Sequence, residues 1–261
     1  MIGFCPLASG SKGNCLFIGS KNTRLLIDAG LSLKMTEERL SLLGISLKEI
    51  DAILITHEHT DHIKGVSRIA VNYNIPVFAN CETAKAIYDT VQECPRFKIF
   101  STGEPFEFGD IEIHPFSIQH DTLDPVAFTF FIENHKIGVC ADLGFVTSLV
   151  KNQLKKCDFL YIESNHEPSM VHASSRPVVY KQRVLSRQGH LSNQECAELL
   201  KEVVHPLLKH IHLAHLSQEC NHPDLALKIA QNTLEQYNYQ GSVSIAFQDK
   251  ISKPLLFSPQ E

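Results

Sequence analysis

The chain has 261 residues, 43% of them hydrophobic, which is enough to bury a substantial core, and we expect one domain spanning residues 1–261. A formal net charge of −5 excludes a broad basic surface that wraps duplex nucleic acid, because such surfaces depend on many phosphate contacts. The eight cysteines are widely spread and form no Cys-x-x-Cys pair, which excludes a zinc knuckle and indicates free thiols in a reducing compartment.

The sequence also contains no pattern typical of a membrane segment. Residues 1–5 hold no basic stretch followed by a long apolar region, and no later segment stays apolar and uncharged over about eighteen residues. We therefore expect a cytoplasmic protein that does not enter the membrane.

Short apolar runs bounded by turn residues predict strands, and runs with helical periodicity predict helices between them. The predicted strands are Cys15–Gly19, Arg24–Ala29, Ala52–Thr56, Pro76–Ala79, Ile111–Ile118, Val126–Glu133, Lys136–Ala141, Phe159–Glu163, Ile211–His215 and Val243–Phe247. The predicted helices are Leu33–Leu43, Asp61–Val71, Thr83–Val91, Phe145–Leu154, Gln194–Val203 and Pro223–Tyr237. Strands and helices in this order, given twice, predict an α/β fold of two packed sheets flanked by helices.

Two segments carry turn residues without a clear periodic pattern. Ser9–Asn14 is a glycine-serine turn between apolar runs, and it is predicted to be a hairpin because no helix follows it. Glu167–Arg176 contains Pro, Ser, Met and His, and we interpret it as a loop over the site.

The strongest chemical signal follows the predicted buried strand at residues 52–56. The next six residues are His57-Glu58-His59-Thr60-Asp61-His62, so three histidines and an aspartate stand at one strand end. Imidazole and carboxylate ligands suit Zn, Mn or Fe. A string of this kind arises by chance in on the order of one such chain in several hundred, so we interpret it as a metal site.

Two metals need about four ligands each, some of them shared, so further ligands are expected at later strand ends. Three side chains occupy such positions: His120, Asp142 and His215 each follow an apolar run. Their common position favours the metal role over that of isolated polar residues at strand ends.

Taken together, the pattern resembles the metallo-β-lactamase superfamily over nearly the whole chain, and within it the YycJ (WalJ) branch. The resemblance to that branch rests on linked strings, namely Ser9–Cys15, Ile27–Gly30, His120-Asp121 with Asp124-Pro125, Glu163–His166, Gly189–Asn193 and Ala214–Ser217. The sequence departs from the branch at Lys12, where serine is frequent, and at Ala127-Phe128, where Gly-Tyr is usual. The stretch Met170–Arg176 matches less clearly, which leaves substrate preference open.

The resemblance implies a four-layer αββα sandwich with its site at the strand ends, and an exonuclease that degrades DNA from the 5′ end. It also implies that His57, His59 and His120 bind one divalent metal ion, that Asp61, His62 and His215 bind a second, and that Asp142 bridges them. A hydroxide held between the two ions would then attack the phosphodiester. Asp61 is thus both a ligand and a catalytic carboxylate.

His190 is the candidate proton donor to the leaving oxygen. It directly precedes a predicted helix start, where Ser192-x-x-Glu195 forms a capping-box pattern. It also resembles the histidine that tRNA-processing members of the superfamily carry before their last metal ligand. The alternative is that His190 only packs beside the helix start.

Four further residues are predicted to bind substrate. Asn165 and His166 follow a strand, so they are expected to bind phosphate or to orient a metal ligand. The alternative for each is a polar side chain that only satisfies the turn from strand to loop. Arg183 and Arg187 lie four residues apart in the basic stretch 176–187, and on a helix beginning near Val178 they would share one face toward a nucleic-acid backbone. The alternative is that these cations form a solvated helix face.

The ligand set alone leaves other functions open. The same metals would serve a thioesterase or lactonase of this fold, since they polarise a carbonyl as well as a phosphoryl group. A non-catalytic regulatory protein that binds metal is a further alternative, although a degenerate relative usually loses ligands and all seven positions are filled here. Metal identity and oligomeric state remain undecided by the sequence.

Overall fold

The computed structural model describes residues 1–91 and 93–257, and within them two mixed sheets of seven strands each. The first sheet consists of β1 (Gly3–Ala8), β2 (Cys15–Gly19), β3 (Arg24–Ile27), β4 (Ala52–Leu54), β5 (Val77–Ala79), β6 (Phe97–Ile99) and β14 (Leu255–Leu256), in the order β14-β1-β2-β3-β4-β5-β6. The second consists of β7 (Phe106–Phe108), β8 (Ile111–Ser117), β9 (Val126–Ile132), β10 (His135–Cys140), β11 (Phe159–Glu163), β12 (His210–Ala214) and β13 (Ser242–Ile245), in the order β13-β12-β11-β10-β9-β8-β7.

Helices connect these strands. They are α1 (Leu33–Ser41), α2 (Thr60–Ile63), α3 (Val66–Tyr73), α4 (Cys81–Thr90), α5 (Ser148–Leu154), α6 (Pro168–Ala173), α7 (Val178–Val184), α8 (Asn193–Val203) and α9 (Pro223–Glu235), with a 3-10 turn at Leu47–Glu49. Side-chain caps begin several of them: Asn80 accepts from Thr83 N at α4, and Ser192 and Glu195 form a full capping box at α8. Within the described residues, none of the helices is long and apolar enough to cross a membrane.

The chain folds into two compact units. The first comprises residues 1–115, 122–126 and the described residues from 247 onward. Its core contains Phe17, Leu26, Ile53 and Ile69, all fully buried. Strands β3, β4 and β5 run parallel, so their carboxyl ends meet at one edge and bring Asp28 beside the segment that follows β4.

The second unit comprises residues 116–121 and 127–246. Strands β10, β11, β12 and β13 run parallel, with Cys140 opposite Ile162 and Ile162 opposite Leu213. The chain segments that follow β10, β11 and β12 therefore leave the sheet at one edge. This register places three predicted or candidate site residues, Asp142, Glu163 and His215, at that edge.

The predicted α/β fold of two sheets flanked by helices is confirmed, and both sheets are mixed. The hairpin at Ser9–Asn14 and the capping box at α8 are confirmed as well. The eight cysteines are free thiols, as expected. The prediction of one domain over residues 1–261 stays a prediction, because the division into two compact units does not test it.

Three local predictions are wrong. The helix expected over residues 61–71 is two helices, α2 and α3, joined at Gly65, where an added Cβ would lie 2.0 Å from the Leu31 carbonyl oxygen. Residues 168–173 form α6, begun by Pro168 at its first turn, although a loop was expected there. Helix α7 ends at Val184, because the chain turns through Ser186 to Gly189, so Arg187 lies beyond the helix that was expected to carry it.

Candidate metal centre

In the first unit, the segment after β4 brings its histidines close together. The rings of His57 and His62 are 4.0 Å apart and those of His57 and His59 are 4.9 Å apart. His59 is the N-cap of α2, and Asp61 lies in the first turn with Oδ2 3.5 Å from Nε2 of His62. The short helix thus turns a carboxylate and an imidazole toward a common point.

A buried aspartate orients these ligands from behind. Asp28 follows β3 and is only 5% exposed, and its Oδ2 lies 2.7 Å from Nδ1 of His62. Its Oδ1 accepts from the backbone N–H of Thr56 at 2.9 Å, and the Thr56 hydroxyl lies 2.9 Å from Nδ1 of His57. Because the carboxylate engages the Nδ1 side of His62, the Nε2 lone pair of that ring faces the other way, as a metal ligand requires.

The glycine-serine hairpin turn also reaches this cluster through Asn14. Its Nδ2 donates to Asp61 Oδ2 at 3.0 Å and lies 2.9 Å from Nε2 of His62. Its Oδ1 accepts from the Gly10 N–H at 2.7 Å, and its backbone N–H donates to the Asp61 carbonyl at 2.8 Å. Asn14 therefore ties the turn to two predicted ligands.

In the second unit, four side chains from three strand ends and one loop converge. Asp142, Glu163, His190 and His215 each offer one ligand atom, and these atoms all lie within 4.8 Å of one another. Asp142 Oδ1 is 3.5 Å from Nδ1 of His215 and 3.6 Å from Nδ1 of His190. Asp142, Glu163 and His215 are buried, whereas the His190 side chain is 18% exposed.

Glu163 is the fully buried centre of this group. Its Oε1 lies 2.8 Å from His190 Nδ1 and 3.2 Å from His215 Nδ1, and its Oε2 accepts from Leu143 N–H at 2.6 Å. Burial acts to raise the pKa of Glu163, but the charge of His190 and the hydrogen bonds from both histidines outweigh it, and the pKa is lowered. An ionised carboxylate here orients two imidazoles at once.

His120 is held by the loop that precedes α8. Its Nδ1 donates to the Gly189 carbonyl at 3.1 Å, which leaves Nε2 on the side of Asp121 Oδ1, at 3.5 Å, and Asp142 Oδ1, at 3.7 Å. Gly189 is tightly placed, because an added Cβ would lie 2.1 Å from the Arg183 carbonyl oxygen. The backbone between α7 and α8 thus fixes both His120 and His190.

Two predicted ligands have a left-handed backbone. Asp142 has φ 54° and His215 has φ 53°, and Asp28 shares this conformation with φ 60°. Non-glycine residues rarely adopt positive φ, and such strain clusters at functional sites.

The four predicted substrate contacts are placed differently from one another. Asn165 is buried, and its Nδ2 donates to the His215 carbonyl at 2.6 Å, which fits the orienting role left open by the sequence. His166 is 1% exposed, and its burial lowers its pKa. Arg183 and Arg187 remain near the surface: Arg183 forms a two-point ion pair with Asp121, and the Arg187 guanidinium lies 3.7 Å from the centre of the Phe145 ring.

The donors in both clusters fit divalent metal ions. They are imidazoles and carboxylates, as Zn, Mn and Fe accept, and the predicted histidine ligands His62, His120 and His215 each direct Nδ1 at an oxygen atom, so that Nε2 lies on the opposite side of each ring. Such oxygen partners are typical behind metal-bound histidines.

The sequence did not single out every residue that matters here. The predicted strand Arg24–Ala29 contains Asp28, whereas the observed strand β3 ends at Ile27. Asp28 therefore directly follows a strand, and this is the same signal that identifies His57. The sequence assigns Glu163 no role, and its contact with His190 joins residues 27 apart along the chain. No local sequence pattern predicts a contact between residues that far apart.

Comparison with known proteins bears on this arrangement. The model of the beta-lactamase superfamily domain matches residues 23–213. Exodeoxyribonuclease YycJ of Bacillus anthracis is 37% identical over 238 residues, covering 90% of each chain. The chain belongs to the YycJ/WalJ branch of the metallo-β-lactamase superfamily.

A second relative supports this membership, and a solved structure shares the fold. Exodeoxyribonuclease WalJ of Streptococcus pneumoniae serotype 2 is 36% identical, over 88% of this chain and 87% of its own. The crystal structure of the metallo-β-lactamase fold protein YhfI from Bacillus subtilis superposes with a TM-score of 0.71 and 14% identity, covering 96% of this chain and 98% of that one. The superfamily match contains the predicted ligands from His57 to Asp142, and His215 lies two residues beyond it.

Proposed function

We propose that this protein is a metal-dependent phosphodiesterase that degrades DNA as an exonuclease, from the 5′ end. The observation that carries the proposal is the relationship, over nine-tenths of both lengths, to a protein named exodeoxyribonuclease. The two clusters of imidazoles and carboxylates supply the chemistry that such an activity needs.

In this proposal two divalent ions are the cofactor. His57, His59 and His120 hold one, Asp61, His62 and His215 hold the other, and Asp142 is shared. Bound there, the ions would supply an activated water as nucleophile at neutral pH and would neutralise charge on the phosphoryl oxygens. Zn, Mn and Fe all suit this ligand set.

His190 is the proton donor to the leaving oxygen. Glu163 is fully buried and engages Nδ1 of His190 at 2.8 Å, so the ring is fixed with Nε2 directed away from that carboxylate. The His190 side chain is 18% exposed, which leaves it accessible to a substrate. An oriented imidazole backed by a carboxylate is the arrangement that general acid catalysis uses.

Arg183 and Arg187 contact the phosphate backbone. Both lie in the segment that leads to His190, and both are exposed enough to exchange their present partners for phosphate oxygens. Asn165 and His166 are buried, and Asn165 acts by holding the backbone of His215, so the contribution of these two residues to substrate binding is indirect.

A substrate panel tests the proposal. Purified protein loaded with Zn or Mn is assayed on end-labelled duplex DNA with a 5′-phosphate, on the same single strand, on a chromogenic phosphodiester and on a thioester. We expect release of nucleotides from the 5′ end and none of these activities in Asp142→Ala. Activity confined to the thioester would instead show a carbon-ester hydrolase, and activity on none of the four would favour a metal-binding regulatory protein.

A further inference from the structure

Residues 168–188 form a basic segment, which contains α6 and α7. It carries four cations, Arg176, Lys181, Arg183 and Arg187, and neither aspartate nor glutamate, in a chain whose net charge is −5. The four are a sixth of the chain's 24 lysines and arginines, and with no acidic residue among them they give a local excess of positive charge in a segment that ends two residues before His190. Concentrated cations of this kind attract a polyanion.

Contacts to the rest of the second unit fix the basic segment in place. Arg176 Nε donates to Glu219 Oε2 at 2.8 Å, and the Arg176 guanidinium lies 5.2 Å from the centre of the Tyr180 ring. Arg183 is paired with Asp121, the residue that follows His120. Val171, Val184 and Cys220 form a small buried cluster beneath it.

The start of α7 is apolar and lies outside that cluster. Val178 is 67% exposed and Val179 is 76% exposed, while Val184 at the other end of the same helix is buried. Pro177 precedes the pair and restricts the backbone at the tip. Two adjacent β-branched side chains thus project into solvent between cations at positions 176 and 181.

The spacing along α7 suits the end of a DNA duplex. Val179 and Arg183 are four residues apart, so they share a face of α7 and lie about 6 Å apart along the helix axis. That is about two base-pair steps of roughly 3.4 Å each. When Arg183 contacts a backbone phosphate beside the site, Val178 and Val179 lie beside a base pair about two steps further along the duplex.

We propose that Val178 and Val179 form an apolar wedge that contacts the terminal base pair of duplex DNA and separates the strand to be degraded. The inference rests on the proposed nuclease function. Proteins that unstack DNA insert apolar side chains between base steps while flanking cations hold the backbone, which is the combination present here. A second protein copy fits less well, because two valines fall far short of the roughly 1,200 Å² that stable interfaces bury.

The test compares Val178→Ser/Val179→Ser with wild type on three substrates: a blunt 5′-phosphorylated duplex, its single strand and a chromogenic phosphodiester. We expect the variant to lose about fivefold or more in rate on the duplex, as loss of base contacts implies, and to keep wild-type rates on the other two. The control is Leu207→Ser, which removes a leucine that is 71% exposed in the turn before β12. It is expected to behave as wild type on all three.

Two outcomes would overturn the wedge: equal duplex rates in variant and wild type, or equal losses on the duplex and the single strand. A sedimentation measurement adds a third, since a wild-type dimer that the variant abolishes would assign the valines to a subunit interface. The chromogenic substrate separates this inference from the proposed function. If wild type fails on it and on both DNAs, the proposed function is wrong, whereas wild-type activity with an unaffected variant rejects the wedge alone.

Discussion

Nδ1 of His190 lies 2.8 Å from Oε1 of Glu163, and the two side chains differ in exposure, at 18% and 0%. The same oxygen lies 3.2 Å from Nδ1 of His215. One buried carboxylate therefore orients both the proposed proton donor and a proposed metal ligand. Changes at Glu163 are expected to affect stability, metal binding and turnover together.

In metal-stripped protein, Glu163 is expected to make stability depend on pH. Its pKa is lowered because the charge and hydrogen bond of His190, with that of His215, outweigh burial. A carboxylate of this kind stabilises the folded state above its unfolded pKa, and the contribution is lost as pH falls through the lower folded pKa. Urea unfolding should therefore show Glu163→Gln less stable than wild type at neutral pH, with a gap that narrows below about pH 4.5. A gap that stays constant down to about pH 3 would contradict the ionised state of Glu163.

Asp142→Ala and His190→Ala should separate metal binding from proton transfer. We expect Asp142→Ala to lose metal and activity, because it removes the proposed shared ligand. His190→Ala should keep its metal and turn over about 10²- to 10⁴-fold more slowly, the range for loss of a general acid. Metal content by mass spectrometry and nuclease rates measured on one preparation decide this, and normal turnover in His190→Ala would remove that residue from proton transfer.

Asp28→Asn should weaken metal binding without removing a ligand. The substitution takes away the charge that engages Nδ1 of His62 at 2.7 Å. Loss of such an outer partner typically costs about 10- to 100-fold in metal affinity. Titration against a metal-binding dye measures this. Asp110→Asn is the matched control, since that carboxylate accepts from Ser20 and Asn22 in the turn between β2 and β3, at the end of β3 opposite to Asp28. Equal affinities in the two variants would show that Asp28 serves stability alone.

Arg183→Gln and Arg187→Gln should each weaken DNA binding in a salt-dependent manner. A side chain that contacts one phosphate contributes about one unit to the slope of log affinity against log salt concentration. We expect each variant to lower that slope by about one while leaving hydrolysis of a small chromogenic phosphodiester unchanged. Lys136→Gln is the control, because Lys136 lies at the start of β10, at the opposite end of that strand from Asp142. An unchanged slope in the arginine variants would exclude them from the backbone contact.

Much of the fold could be predicted because its strands are apolar runs bounded by turns. Cys15–Gly19 and Phe159–Glu163 form strands with the predicted bounds. Strand β6 was missed: it is three residues long, and two of them are exposed, so no apolar run marks it. Strand β14 has two residues, and its pairing with β1 joins positions more than 250 residues apart, which no local pattern reveals.

The candidate site, like the fold, could be predicted from the sequence only in part. The ligand predictions depended on polar residues at strand ends, a signal that a single sequence carries. The partners that orient them depend on distant contacts, as when Gly189 accepts from His120 or Asn14 donates to Asp61. A sequence does not show which backbone carbonyl accepts a hydrogen bond. Asn14 lies in a turn where asparagine is common for local reasons, so its residue type does not indicate a contact with a ligand.

The left-handed backbone at Asp142 and His215 has a consequence for how this protein could change. Glycine or asparagine would occupy either position with less conformational cost, so selection for stability alone would favour replacing both residues. Descendants that no longer need the metal-dependent activity are expected to acquire substitutions at these two positions first, and those substitutions are expected to raise the free energy of unfolding.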